Sequence, residues 1–180
     1  MLVYLDAETG TVEPQLAESL EPNADGSVWT LTLRPDITFS DGTPLDAAAV
    51  QYNYERHQDD QVESRLAGVV EGLTFEAVSD LELEITLPEP NLHFDKTMAV
   101  SLPYIGSPTA FEADDEGFGR NPVGAGPFVL TEYVDDSHLT LVRHEDYLED
   151  DQPYLDELVF RVIPDPQQRI QAVAAGEADM

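Results

Sequence analysis

The sequence predicts an α+β fold in which helices flank an antiparallel sheet. Residues 28–34 and 81–87 each alternate apolar and polar side chains, as strands with one buried face do. Between them, residues 47–56 place Val50 and Tyr54 one helical turn apart. Two strands with a single dry face, and a helix to cover that face, are typical of an antiparallel sheet packed against helices.

The neighbouring elements are predicted around these three. Residues 2–5 are expected to form a fourth strand of the same sheet. Residues 73–78 are expected to form a hairpin with the second strand across a short turn. Asp46 is the expected N-cap of the first helix, and a second helix is expected over residues 91–99.

Three strands and one helix are predicted in the C-terminal part of the chain. The strands are expected at residues 128–133, 139–143 and 158–163. The third is apolar on both faces except at Arg161, so we expect it inside a sheet that is covered on both sides. Asp165 and Pro166 are typical of a helix start, and the helix is expected over residues 167–175, ending at Gly176. A charged, glycine-containing loop at residues 114–122 separates this part from the first.

The chain is strongly acidic. Its 180 residues include 37 Asp and Glu against 8 Lys and Arg, which gives a formal net charge of −29. Such a surface repels nucleic acid, so we expect no nucleic-acid partner. The acidic residues are scattered through every segment, whereas acidic tails and cation-binding runs concentrate them in blocks. We interpret the acidity as adaptation of the surface to high salt, as in the protein of a halophile.

No group of residues typical of catalysis or metal binding stands out. The chain has no cysteine, and its four histidines are dispersed without the spacing of a zinc site. Residues 21–32 begin like a calcium loop, but Thr32 stands where such a loop needs a bidentate Glu. We therefore predict no catalytic residue, no metal and no cofactor.

Several stretches of the chain, in order, carry the motifs of one family. Residues 28–47 contain Trp-x-Leu-x-Leu-Arg, then an aromatic residue, Asp-Gly, a proline and an acidic helix start. The other stretches lie at residues 12–20, 121–128, 143–148, 160–166 and 175–179. The chain resembles the extracellular solute-binding proteins, family 5, which serve ABC importers of oligopeptides, dipeptides and nickel. It departs from the family pattern at Leu20, Ala125, Phe128 and Leu148.

The resemblance implies a periplasmic-binding-protein type II fold of the α/β class, in which two lobes close around a solute. Within that fold the chain is expected to be a first-lobe fragment without a second lobe. Residues 1–121 would be the smaller subdomain of this lobe, and residues 122–180 the beginning of the larger one. The implied function is non-catalytic capture of a peptide or small chelate, including nickel chelates, for an ABC permease in the membrane. The implied protein is an extracytoplasmic monomer on a membrane or cell surface, although this chain begins without a signal segment.

Three candidate ligand-binding residues follow from the same resemblance. It places residues 61–66 and 101–104 beside the cleft, and we select Ser64, Arg65 and Tyr104. An arginine can pair with a carboxylate through two hydrogen bonds, and a tyrosine offers a flat apolar face with one hydroxyl.

Two other functions compete with transport. The same lobe could serve as the effector-sensing module of a cytoplasmic regulator, which a DNA-binding region encoded upstream would reveal. A hydrolase on an unrelated α+β scaffold is the other alternative, and the absence of a catalytic constellation in the sequence argues against it.

We predict that the fold requires salt. At molar KCl the Debye length shrinks to about 3 Å, so the carboxylates no longer repel one another over distance. The melting temperature, followed by circular dichroism, should rise steeply between low and molar KCl. A melting temperature that does not change with salt would contradict the halophilic interpretation.

Overall fold

The computed structural model describes residues 1–149 and 151–179. Its strands are β1 (Val3–Leu5), β2 (Val12–Pro14), β3 (Ala17–Pro22), β4 (Val28–Leu33), β5 (Thr74–Ala77), β6 (Glu82–Thr86), β7 (Phe128–Val134), β8 (His138–Arg143) and β9 (Glu157–Arg161). Its helices are α1 (Ala47–Arg56), α2 (Ala67–Val70), α3 (Phe94–Ser101), α4 (Pro108–Ala113) and α5 (Pro166–Ala174). Of the helices in these ranges, none is both long enough and apolar enough to cross a membrane.

The main sheet has four antiparallel strands in the order β3-β4-β6-β5. Its inner face carries the apolar rows that the alternation predicts, because Trp29 lies opposite Ile85, and Ile85 lies opposite Phe75. All three side chains are buried. Strands β4 and β6, predicted from alternation, and β5, predicted as the hairpin partner of β6, therefore belong to one sheet as expected.

The prediction that residues 2–5 join this sheet was wrong. They form β1, which pairs with β2 in a separate two-stranded sheet. The N–H of Leu2 donates to the carbonyl of Pro103 at 2.8 Å, and the carbonyl of Leu2 accepts from the N–H of Ala17, the first residue of β3, at 3.0 Å. The fourth strand is instead β3, in which a bulge between Ala17 and Ser19 breaks the alternation that the sequence pattern depends on.

Trp29 is the aromatic anchor of the core. Its side chain is buried, with 3% of its surface exposed. The indole N–H donates to the carbonyl of Asn91 at 3.0 Å, and the ring packs against Phe94 with the centroids 6.1 Å apart. The apolar surface and the one polar group of the ring are thus both accommodated.

Helix α1 covers the inner face of the sheet and has the predicted bounds. The carboxylate of Asp46 caps it by accepting from the N–H of Ala49 at 2.8 Å. Val50 and Tyr54 are buried, and the ring of Tyr54 lies 5.0 Å from that of Phe75. The helical spacing in the sequence thus identified the packing face correctly.

Helix α3 begins three residues later than predicted. Residue 91 was its expected start, but the side chain of Asn91 accepts from the N–H of His93 at 2.9 Å and holds the chain in a turn. The helix begins at Phe94, which is buried. Helices α2 and α4 were not predicted, because segments of 4 and 6 residues are too short to show a helical period.

The second sheet has three antiparallel strands in the order β7-β8-β9. Strands β7 and β8 lie where the sequence predicts them. The expectation that residues 158–163 are covered on both sides was wrong for the described part of the chain. There β9 is an edge strand, and Val159 and Phe160 within it and Val162 just after it are about half exposed.

Helix α5 has the predicted caps at both ends. The carboxylate of Asp165 accepts from the N–H groups of Gln167 and Gln168 at 2.7 and 3.1 Å. At the other end Gly176 has φ +73°, and the N–H of Glu177 donates to the carbonyl of Ala172 at 2.8 Å. This is the Schellman arrangement that favours glycine after a helix.

The outer face of the main sheet is a row of hydroxyl and carboxyl side chains. Glu21 lies opposite Thr30, Thr30 opposite Glu84, and Glu84 opposite Glu76. Directly opposed residues have Cβ atoms about 5 Å apart, so Glu76 and Glu84 repel each other. This repulsion is a local reason to expect that salt stabilises the sheet.

We expect Trp29→Ala to lower the free energy of unfolding by about 3–5 kcal/mol, the range for removing a large aromatic side chain from a core. The loss combines the apolar contacts of the ring with the unpaired carbonyl of Asn91. Urea unfolding at molar KCl, followed by circular dichroism, measures it. Before the mutation is made, acrylamide should quench the fluorescence of Trp29 far less than that of free tryptophan, and a cost below about 1 kcal/mol would contradict the core role.

Candidate functional site

A groove of about 360 Å³ is the strongest candidate for a binding site. It lies among the C-terminal end of α1, the segment that follows α3, α4 and residues 122–124. These pieces are far apart in the sequence, and several hydrogen bonds connect them.

Asn53 joins α1 to the segment after α3. It is buried on the same face of the helix as Val50 and Tyr54. Its side-chain amide donates to the carbonyl of Gly106 at 2.8 Å, and its side-chain oxygen accepts from the N–H of Gly106 at 3.0 Å. The same amide also donates to the carbonyl of Ala49 at 2.8 Å. Asn53 therefore pairs with the backbone of Gly106 as a neighbouring strand would.

Tyr54 makes a second connection between the same two segments. Its hydroxyl donates to the carbonyl of Leu102 at 2.9 Å. Complete burial raises the pKa of Tyr54 well above its ordinary value, so the hydroxyl stays protonated and remains a donor. Asn53 and Tyr54 together form a rigid floor for the groove.

The turn at Asp41 and Gly42 is hydrogen-bonded to Ser107, in the segment that follows α3. Oδ1 of Asp41 accepts from the hydroxyl of Thr43 at 2.6 Å, and Oδ2 accepts from the buried hydroxyl of Ser107 at 2.6 Å. Gly42 has φ +81°, which a residue with a side chain rarely adopts. Partial burial raises the pKa of Asp41, but the hydrogen bonds from Ser107 and Thr43 together lower it by more, so the pKa is below its usual value.

Residues 122–127 cross from the groove to the second sheet. Gly124 bridges to Gly106, and its carbonyl accepts from the N–H of Ser40 at 2.9 Å. Further along, the carbonyl of Gly126 lies 3.0 Å from Nδ1 of the buried His144. The Asn-Pro-Val-Gly-Ala-Gly-Pro motif thus has a structural role, as its glycines and proline predict. The division of the chain near residue 121 stays a prediction.

His57 and Ser64 lie together beside the groove. His57 lines it, and Nδ1 of His57 lies 2.9 Å from the hydroxyl oxygen of Ser64, which also accepts from the N–H of Leu66 at 3.1 Å. Burial and, to a smaller extent, the positive charge of the nearby Arg56 lower the pKa of His57 below its usual value. The imidazole is therefore neutral at pH 7.

The three residues selected from the sequence occupy different places. Tyr104 lines the groove and is 73% exposed, so its ring is open to a ligand. Ser64 reaches the groove only through His57. Arg65 is exposed and does not line the groove. A ligand-binding role for each of the three stays a prediction.

Sequence reasoning missed Asn53, His57, Phe111 and Phe118, all of which line the groove. Asn53 had a signal, because it is a polar residue on the apolar face of a predicted helix. The two phenylalanines had none, because they lie in and after the short helix α4, where no periodicity marks a buried or exposed face.

The groove is lined by uncharged side chains and backbone groups. Among the described residues that line it there is no Asp, Glu, Lys or Arg. Within the same part of the chain, no three His, Asp or Glu side chains are grouped so that they could hold a metal ion. What the groove offers is aromatic and aliphatic surface, one imidazole and fixed backbone groups, the composition usual for a small-molecule site.

Residues 11–180 match the family model of bacterial extracellular solute-binding proteins, family 5, middle region. The chain belongs to this family. The resemblance seen in the sequence motifs is thereby confirmed.

Curated relatives of this family 5 chain bind small solutes. It is 34% identical to the nickel-binding periplasmic protein of Escherichia coli (strain K12) over 174 residues, which are 95% of this chain and 33% of that protein. It is 30% identical to the glutathione-binding protein GsiB of Shigella flexneri over 164 residues, 91% of this chain and 32% of that protein. The chain thus spans about a third of the length of these relatives.

A solved structure agrees with this family assignment. The binding protein MoaA of A. tumefaciens R10, in complex with mannopinic acid, superposes with a TM-score of 0.90 at 29% identity, over 99% of this chain and 37% of that one. The fold of the family 5 chain is therefore part of a periplasmic-binding-protein type II fold, with antiparallel sheets flanked by helices. This is the fold that the resemblance implied.

We expect Asp41→Asn to destabilise the family 5 chain, because an amide offers one oxygen where Asp41 uses two, so a hydrogen bond to Thr43 or Ser107 is lost. Asp41 is largely exposed, so the cost at pH 7 is at the low end for a charged hydrogen bond, about 1 kcal/mol. A carboxyl whose pKa is lowered by folding contributes stability above its unfolded pKa of about 3.9, and the contribution is lost as the pH falls through the folded pKa.

Urea unfolding at molar KCl, repeated from pH 7 down to pH 3, tests this expectation. The difference between wild type and Asp41→Asn should shrink toward the acid end. Asp60→Asn, an exposed carboxylate outside this network, is the matched control and should change little at any pH. Equal stability of the Asp41→Asn protein and the wild type at pH 7 would show that the turn does not depend on this carboxylate.

Proposed function

We propose that the chain is part of a solute-binding protein that captures a peptide or a small chelate and delivers it to an ABC permease. The observation that carries this proposal is the groove, whose floor is fixed by Asn53 and Tyr54 and whose walls carry no charged side chain. Rigid apolar walls with a few oriented polar groups suit reversible binding of a small molecule.

The solute would be enclosed between this lobe and a second one. A pocket usually buries 70–90% of a small ligand, and an open groove on one lobe cannot do so. The relatives support a small solute, since their names say that those proteins bind nickel, glutathione or mannopinic acid. Closure of two lobes would then produce the form that the permease recognises.

The proposed protein is non-catalytic, monomeric and extracytoplasmic, held at a membrane or cell surface. The periplasmic location in the name of the nickel-binding relative supports the compartment. Neither a cytoplasmic regulator nor a hydrolase is favoured by these relatives. The even spread of acidic residues supports a halophilic source as part of the same proposal.

Tyr104 is the first contact that we propose for the solute, with Ser64 acting through His57. Tyr104 combines a largely exposed ring with a place in the groove wall. Arg65 is proposed as a contact at the rim, where it would meet a solute carboxylate after the lobes close. A guanidinium can bind such a group through two parallel hydrogen bonds.

The whole protein should bind a peptide or a nickel chelate, whereas the 180-residue chain alone should bind the same solute weakly or not at all. The reason is that a solute in the cleft shares its contacts between two lobes, so one lobe retains a minor part of the affinity. Calorimetry at molar KCl, against a peptide library and against nickel with histidine, compares the two proteins.

Tyr104→Ala in the whole protein should lower the affinity about tenfold, which is the scale of one lost aromatic contact. Tyr154→Ala removes an equally exposed ring outside the groove and should leave the affinity unchanged. Tight stoichiometric binding by the chain alone would refute the two-lobe arrangement. If the whole protein bound none of these solutes, the regulatory alternative would take its place.

A further inference from the structure

Three flat groups are stacked beside the groove, and two of them, Phe111 and Phe118, line it. The rings of Phe111 and Phe118 are nearly parallel, with an angle of 20° between their planes and 3.7 Å between their centroids. The guanidinium carbon of Arg56 lies 4.4 Å from the centroid of Phe111. Because Phe118 already covers one face of Phe111, the guanidinium lies on the other face.

The two rings rest directly on bare backbone. A Cβ at position 106 would lie 2.6 Å from Phe118 and 2.8 Å from Phe111, closer than carbon atoms can approach. Gly106 is itself fixed by its two hydrogen bonds to Asn53. The stack therefore has a defined position relative to the groove floor.

These rings differ from the other phenylalanines of the first part of the chain. Phe39, Phe75 and Phe94 are buried in the core, whereas Phe111 and Phe118 are only partly buried and line the groove. Leaving apolar rings open to water forgoes the stability that their burial would bring. An exposed apolar surface of this kind inside a concave site is typical of a place where a ligand packs.

The groove around the rings favours an uncharged group. Its described lining contains no ionised side chain, since His57 is neutral and the others are apolar, hydroxyl, amide or backbone groups. The Arg56 guanidinium beside Phe111 is already paired with Asp115, so a carboxylate placed here would lose water without gaining an unpaired cationic partner. The formal charge of −29 acts against an anion as well.

We infer that the Phe111–Phe118 pair is a subsite for an uncharged ring-bearing group of the solute, with Arg56 as its positioning residue. The simplest such group is the side chain of an aromatic residue in a peptide. This inference rests on the proposed solute-binding function and adds the class of chemical group that the first lobe selects. Offset stacking of a third ring on the pair provides the attraction.

Arg56 holds the pair from outside the groove. Its guanidinium forms an ion pair with Asp115, which lies in the loop that carries Phe118. The same planar group stacks on Phe111. One side chain thus fixes both α4 and the loop after it, and a lysine could not reproduce the planar stacking.

The test uses the 180-residue chain at molar KCl and neutral pH, with three small probes followed by NMR titration. N-acetylphenylalaninamide carries the ring without charge, N-acetylglycinamide lacks the ring, and N-acetylphenylalanine adds a carboxylate. We expect the first probe to bind weakly and to shift the ring signals of Phe111 and Phe118. The other two should bind about tenfold more weakly or not at all.

Variants separate stacking from general stability. Phe118→Leu keeps an apolar side chain but loses the ring, so the affinity for N-acetylphenylalaninamide should fall about tenfold. Phe160→Ala removes a more exposed ring outside the groove and should leave the affinity unchanged. Arg56→Lys should weaken the nuclear Overhauser contacts between the two rings and lower the affinity severalfold, while the melting temperature stays close to that of the wild type.

Three results would overturn the inference. They are equal binding of the three probes, shifts that map outside the groove, and unchanged affinity in Phe118→Leu. If Arg56→Lys left the ring contacts and the affinity intact, the positioning role would be refuted. None of these results bears on whether the whole protein binds a solute. The proposed function is tested separately, by the calorimetry of the whole protein.

Discussion

Asn53 lies on the buried face of α1, where an unpaired amide would cost about 1–3 kcal/mol. Its hydrogen bonds to Gly106 and Ala49 remove that cost and, in doing so, fix the segment that follows α3 relative to the helix. Ser107, the next residue, then reaches Asp41 and caps α4. Because α4 carries Phe111, one buried polar side chain determines where the floor, the turn and the aromatic wall of the groove meet.

Much of the fold could be predicted because its signals are local. Strands β4 and β6 alternate cleanly, and Asp46, Asp165 and Gly176 mark helix ends by their capping chemistry. The pairing of β5 with β6 was predicted from their short connecting turn, but the partner of β1 was not. The three residues of β1 are too few for alternation to show their partner, and they pair with β2 in a separate sheet. The bulge in β3 likewise hides a real strand from a test of alternation.

The groove was harder to predict from the sequence than the main sheet. Resemblance to the family identified Tyr104, which lines the groove, and Arg65, which does not. The aromatic wall was predicted by neither kind of reasoning, since the contacts of Phe111 and Phe118 with each other and with Gly106 are tertiary and leave no periodic pattern in the sequence. A site of this kind depends on contacts between distant segments, whereas motifs and periodicity describe neighbours in the chain.

The half-exposed apolar side chains in and just after β9 affect how the chain behaves in solution. At low ionic strength, mutual repulsion between molecules of charge −29 keeps these apolar side chains on different molecules apart. Salt that screens this charge within the molecule also screens it between molecules, so that collisions bring Val159, Phe160 and Val162 together. An edge strand with such side chains is a template for intermolecular pairing. The salt that we expect to stabilise the fold is therefore also expected to lower the colloidal stability of the chain.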